Sequence, residues 1–158
     1  AMCDVTGAIV AVHRTFLAAD GSGKAPVKPA KMIWPHGYQG SVIRLARGTG
    51  NLTPEQAARR GHAAPVLLAE GIENALSVAV ALPELRVWAA GTLGNLSHVP
   101  VQHPCISKVI VFADNDAGPQ AQASLDKALT ALRMQRPVTV ARSFAGKDAN
   151  DLLRGKHV

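Results

Sequence analysis

Carboxylates are the groups in this chain best placed to do chemistry. Residues 65–158 carry eight, and six of them (Glu70, Glu73, Asp114, Asp116, Asp148 and Asp151) stand at or just after the ends of short apolar runs. Glu70 closes the run Val66-Leu-Leu-Ala69, and Asp114-Asn-Asp116 closes Lys108-Val-Ile-Val-Phe-Ala113. Carboxylates packed together repel and raise one another's pKa unless a cation neutralises them. Hard oxygen donors in an Asp-x-Asp arrangement suit magnesium, with manganese as the alternative ion. Helix capping competes for Asp116, because an Asp at a helix start stabilises by about 1 kcal/mol. Capping leaves unexplained a Glu ending one buried run together with an Asp-x-Asp ending another, since one cap serves each helix. A divalent metal site built from Glu70, Asp114 and Asp116 is therefore expected.

Other constellations are weaker. His98, His103 and Cys105 are irregularly spaced around two prolines, which favours a solvated loop over a zinc site. Cys3 and Cys105 are the only cysteines and form no Cys-x-x-Cys pattern, so neither a disulfide framework nor a zinc ribbon is indicated. Gly91-Thr-Leu-Gly94 reads as a tight connection after a strand, and Trp34 and Trp88 are expected in core or loop packing rather than stacked on bases.

The acids need a scaffold that brings distant chain segments to one edge. From Pro65 onward short apolar runs alternate with helical stripes, the pattern of a parallel sheet with covering helices, so the fold class is α/β. Four strands are expected: 66–69, 85–90, 108–113 and 137–141. Ile72, Ala75, Leu76, Ala79 and Val80 recur at helical spacing after the first, and Ala121, Leu125, Ala128, Leu129 and Leu132 after the third. In such a sheet ligands bind beyond the carboxyl ends of the strands, where Glu70 and Asp114 fall, and the strands ending there are expected to be neighbours. The sequence before Pro65 reads differently. Ala8–Leu17 and Ser41–Ala46 look like strands, Asp20-Gly-Ser-Gly-Lys24 like a turn, and 25–40, with its prolines, like irregular chain. Thr53-Pro-Glu-Gln56 carries the hydroxyl, proline and glutamine of a capped helix start. The expected layout is a small basic β-rich subdomain over 1–52, a bridging helix and linker over 53–64, and a main domain over 65–158.

Charge points toward nucleic acid. Residues 1–64 carry eight Lys/Arg against three Asp/Glu, so five of the net six positive charges lie there. A basic surface attracts phosphate backbones through counterion release. No apolar run approaches the roughly 20 residues needed to span a bilayer, and a cytoplasmic location without membrane contact is expected.

Three ordered segments, Leu68-Ala-Glu-Gly-Ile-Glu-Asn-Ala-Leu76, Val109-Ile-Val-Phe-Ala-Asp-Asn-Asp-Ala-Gly118 and Gly146-Lys-Asp-Ala-Asn-Asp-Leu-Leu153, together resemble the Toprim domain in the variety found in phage- and plasmid-type primases and primase-helicases. Val10–Leu17, the Gly23-Lys-Ala-Pro26 turn and Lys31 are similar to the region that precedes it in such proteins. The resemblance implies a Toprim-like, Rossmann-like fold and magnesium-dependent nucleotidyl transfer, here primer synthesis on a single-stranded DNA template from nucleoside triphosphates. It makes Glu70 the general base or acid beside the metal, Asp114 and Asp116 the magnesium ligands, and Gly71 and Gly118 the small residues next to these acids. Lys147 and Asp148 fall on the late Lys-Asp pair, near phosphate or metal. Arg14, Lys24, Lys28 and Lys31 become candidate contacts to single-stranded DNA or RNA. A magnesium-dependent nuclease using the same acids is the alternative, and a non-catalytic nucleic-acid-binding module the third. Strand passage is disfavoured because the one tyrosine, Tyr38, sits in a Pro/Gly-rich loop; with no phosphate loop of the Gly-x-x-x-x-Gly-Lys-Ser/Thr kind, the chain is expected to work beside other domains of a larger primase or primase-helicase.

Overall fold

A computed structural model describes residues 1–115, 118–144, 149, 151 and 155. The chain opens with β1 (Met2–Cys3), β2 (Ile9–Thr15), β3 (Lys31–Trp34) and β4 (Ile43–Arg47), followed by α1 (Pro54–Arg59). The α/β half then runs β5 (Ala64–Ala69), α2 (Ile72–Ala81), β6 (Arg86–Ala89), α3 (Leu93–Leu96), β7 (Ile106–Ala113), α4 (Pro119–Arg133) and β8 (Val138–Arg142). The start of α1 is the expected capping box: Thr53 accepts from the Gln56 amide, and the Gln56 side chain accepts in return from the Thr53 amide.

The main sheet has five strands in the order β4-β6-β5-β7-β8. Strands β5 to β8 are parallel, as the alternating pattern predicts. The fifth strand is a correction to the expected four. Ile43–Arg47, expected inside the small subdomain, pairs antiparallel with β6 and covers its outer edge. An exposed edge offers unpaired N–H and C=O groups, and β4 satisfies those of β6. A second correction concerns Lys31–Trp34, expected as irregular chain. It is a strand because it pairs with β2, from Val12 opposite Trp34 to Thr15 opposite Lys31.

Side-chain alternation along β5 divides the core. Val66 and Leu68 face α4, whose Leu125, Ala128, Leu129 and Leu132 are buried in the same cluster. Leu67 and Ala69 face α2 through Ala75 and Val78, and this second cluster also takes in Met2 and Ala11 of the N-terminal sheet. Each fully buried Leu contributes about 1.5–3 kcal/mol, so the small sheet is anchored by the same burial that holds α2. Gly91, at φ +84°, lies beneath it: a Cβ there would meet Met2 Cε at 3.1 Å and Ile33 Cδ1 at 3.3 Å. Trp88 is 2% exposed in the core, as expected, whereas Trp34, opposite Val12 on the outer face of the hairpin, is 65% exposed. Among the described residues no helix is long and apolar enough to cross a membrane.

Candidate active site

The chain leaves β5 to form β6 on one side and then crosses back to form β7 on the other, so the direction of winding reverses between β5 and β7. Such a reversal opens a crevice at the carboxyl ends of the strands. Glu70 follows the last residue of β5 and Asp114 the last of β7, and Ala69 is in register with Phe112. The two acids are therefore on neighbouring strands at the reversal, and they line the same two cavities. One, of about 240 Å³, has apolar walls from Leu93, Leu96, Val111 and Leu125 and also borders Gly118. The other, of about 270 Å³, is polar and lined by Lys24, Lys31, Glu70, Gly71, Glu73, Asn74 and Asp114.

Both acids are held by neighbours. Asn74 donates its side-chain amide to Asp114 Oδ1 at 2.7 Å, and the Arg142 guanidinium donates to the Asp114 carbonyl. Asn115 reaches across to the Ser143 carbonyl at 2.9 Å, fastening the end of β7 to the end of β8. Glu70 has a raised pKa. Partial loss of water on the side facing the pocket is the larger cause, although Glu70 as a residue stays exposed at the mouth, and the Asp114 charge is the second, opposed by the Leu93 backbone N–H and by Lys31. A carboxylate pushed up by a neighbouring carboxylate is what a bound cation relieves, so the oxygen donors of this cleft fit a hard divalent ion such as magnesium. The start of α2 at Gly71 and of α4 at Gly118 border the same edge, where helix N-termini favour negative charge.

The N-terminal sheet completes the cleft. Lys31, at the start of β3, pairs with Glu73 in the first turn of α2 at 2.8 and 3.0 Å to its two oxygens. Because residues directly opposite in an antiparallel pair share a face, Thr15 and Lys31 project together with His13 and Ile33, toward α2 and the Gly91 turn. Lys24 enters from the turn before β3. Arg14 projects to the other face, 5.8 Å from the Phe16 ring, and Lys28 is exposed in the loop before β3. Of the four N-terminal cations singled out in the sequence, Lys24 and Lys31 thus reach the acids while Arg14 and Lys28 remain outside.

Asp116, Lys147 and Asp148 lie outside the described residues. Among the described residues no three carboxylate, imidazole or thiolate groups converge as a metal-binding set. Sequence reasoning passed over Asn74, Arg142 and the Leu93 amide. The first had a signal, since Asn74 is a polar residue on the buried side of a helix, four positions after Glu70.

The model of the Toprim domain matches residues 65–157, more than half of the chain, and a domain of unknown function, DUF7146, matches residues 1–45. The chain belongs to the Toprim family, whose domains serve metal-dependent enzymes acting on nucleic acids. No curated protein and no solved structure matches it.

Proposed function

We propose that this chain is the catalytic core of a DNA primase, joining nucleoside triphosphates into an RNA primer on a single-stranded DNA template. The observation that carries the reading is the single cleft in which Glu70 and Asp114 meet Lys24 and Lys31, because nucleotidyl transfer needs acids for a metal and cations for the phosphates of its substrate. Asp114, with Asp116, is the proposed magnesium holder, and Glu70 lines the same two cavities. The ion, when bound, neutralises charge on the phosphoryl oxygens.

The protein's own groups do the remaining work. Glu70, its pKa raised toward the working pH, accepts the proton of the attacking hydroxyl as the new phosphodiester forms and pyrophosphate leaves. Asn74 and Arg142 position Asp114. Lys24 and Lys31 bind phosphate oxygens, with Glu73 holding Lys31 in place until substrate arrives. Gly71 and Gly118 keep side chains away from the mouth, and Lys147 and Asp148 are proposed to act near the same phosphates. Arg14 and Lys28 extend the basic track for the template outside the cleft. Neighbouring domains of a larger primase belong to the same proposal, in which the chain before β5 is part of the catalytic unit because it lends β4 to the main sheet.

Incubating the chain with magnesium, labelled nucleoside triphosphates and single-stranded DNA tests it. Growth of labelled strands is the expected result; shortening of the DNA identifies a nuclease using the same acids, and binding without either identifies a non-catalytic module.

A further inference from the structure

A second charged cavity lies away from the acids, on the face of the sheet that carries Trp88. It has a volume of about 310 Å³ and is bordered by Arg44, Arg47, Thr53, Pro54, Arg86 and Trp88. The strand pairing explains how three arginines come together. Arg44 lies opposite Trp88 and Arg47 opposite Arg86, with an irregularity between Arg44 and Ala46. Residues three apart in a regular strand project to opposite faces. The extra residue at the bulge restores Arg47 to the face of Arg44, and Arg86 and Trp88, two apart on β6, share that face. Arg86 begins β6, whereas Glu70 follows the end of the parallel β5, so the cavity approaches the opposite edge of the sheet from the acids.

The three arginines share a single carboxylate partner among the described residues, Glu55. Arg44 is 2.7 Å from Glu55, donates to the Asp4 carbonyl at 2.9 Å and stacks 5.7 Å from the Trp88 ring. Arg86 is 4% exposed and donates from one terminal nitrogen to the Cys105 carbonyl at 2.9 Å. Among the described residues no carboxylate lies within ion-pair distance of it. The Nε atoms of both Arg44 and Arg86 are buried without a hydrogen-bond partner. Burying an uncompensated cation is costly, and a fold that gathers three guanidinium groups around one cavity lowers that cost by admitting an anion. Planar guanidinium forks match phosphate and carboxylate oxygens alike, and three cations around a cavity with one carboxylate favour the more highly charged phosphate. We infer that this cavity is a phosphate-binding site, separate from the acid cleft, that takes the phosphoryl group of a nucleotide or of a nucleic-acid backbone.

The test is thermal melting of the full chain in inorganic phosphate against chloride at matched ionic strength, with EDTA present so that the acid cleft holds no metal. Phosphate at a hundredfold excess over its dissociation constant is expected to raise the melting temperature by about 5–10 °C. Arg47→Gln, a change at an exposed side chain, should cut the rise without altering melting in chloride. Arg86→Met should abolish the rise and melt no lower than the wild type in chloride, because it removes the uncompensated buried charge; if it does not fold, Arg47→Gln alone decides. No rise in the wild type overturns the inference. So does a rise that survives Arg47→Gln and Arg86→Met but is lost in Lys31→Met, which would locate the anion at the lysine cleft. Repeating the titration with a nucleoside triphosphate and with a single-stranded oligonucleotide, in the Lys31→Met background, separates the two sources: the tighter response that Arg86→Met removes identifies the natural ligand, and no Arg86-dependent response to either refutes the assignment.

Discussion

Asn74, the third residue of α2, donates its side-chain amide to Oδ1 of Asp114, the residue that follows β7, over 2.7 Å. The bond ties the helix after the first acid to the second acid and fixes one carboxylate oxygen of Asp114. With Asp114 as the proposed metal ligand, replacing its partner should cost about 10–100-fold in metal affinity or activity. Asn74→Ala should weaken magnesium binding and turnover by that order. Calorimetric titration checks the first and primer extension the second.

Glu70 should make the metal-free protein less stable as pH rises. Burial and then Asp114 hold its pKa above the ordinary range, so the folded state binds this proton more tightly than the unfolded state. Its favourable contribution is complete below about pH 4.3, the unfolded value, and is lost as pH climbs through the raised folded value. Glu70→Gln cannot ionise. In EDTA it should melt at or above the wild type at pH 7, with the difference shrinking toward pH 4. Melting curves across that range read it directly.

Lys31 and Glu73 form a partly exposed pair, and such pairs contribute about 0–1 kcal/mol. Lys31→Met should therefore leave the melting temperature nearly unchanged. If Lys31 binds substrate phosphate, losing that charged contact raises KM for nucleoside triphosphate roughly tenfold or more. A KM effect without a stability effect distinguishes substrate binding from a structural role.

Much of the scaffold was legible because its signals are local. The β5 and β7 runs, the α4 stripe and the capping box at Thr53 and Gln56 each depend on neighbours a few residues apart. The stripe expected on α2 was misphased: Leu76 and Val80 are exposed, while Asn74 and Ser77 are buried. Their polar groups are satisfied, Asn74 by Asp114 and Ser77 by the Glu73 carbonyl at 3.0 Å, so burial tolerates them in place of apolar residues. β4 was legible as a strand from its own residues but its place in the main sheet was not, and β3 was not legible at all, because both depend on pairing with partners distant in sequence. For the same reason the acids were found from their spacing, but the arrival of Lys24 and Lys31 beside them required the hairpin register.

Salt dependence should reside in the N-terminal half. Deleting residues 1–52 cannot test this, because β4 would leave the main sheet and Met2 would leave the core. Point changes can. Lys24→Gln and Lys28→Gln, both at exposed positions, should each flatten the slope of log affinity against log salt by about 0.7 on single-stranded DNA. Lys127→Gln on the exposed side of α4 should leave it unchanged. Fluorescence anisotropy over a salt series gives all three slopes.

The central claim is that Asp114 holds the metal while Glu70, beside it, handles the proton, and magnesium titration calorimetry of Asp114→Asn and Glu70→Gln, paired with primer extension, tests it most directly. Asp114→Asn should weaken magnesium binding, since a hard dication loses a charged oxygen donor. Glu70→Gln should keep metal affinity close to that of the wild type and lower turnover by roughly 10²–10⁴-fold, the usual worth of a positioned proton acceptor. Loss of magnesium from Glu70→Gln as complete as from Asp114→Asn would contradict the account and make Glu70 a ligand first.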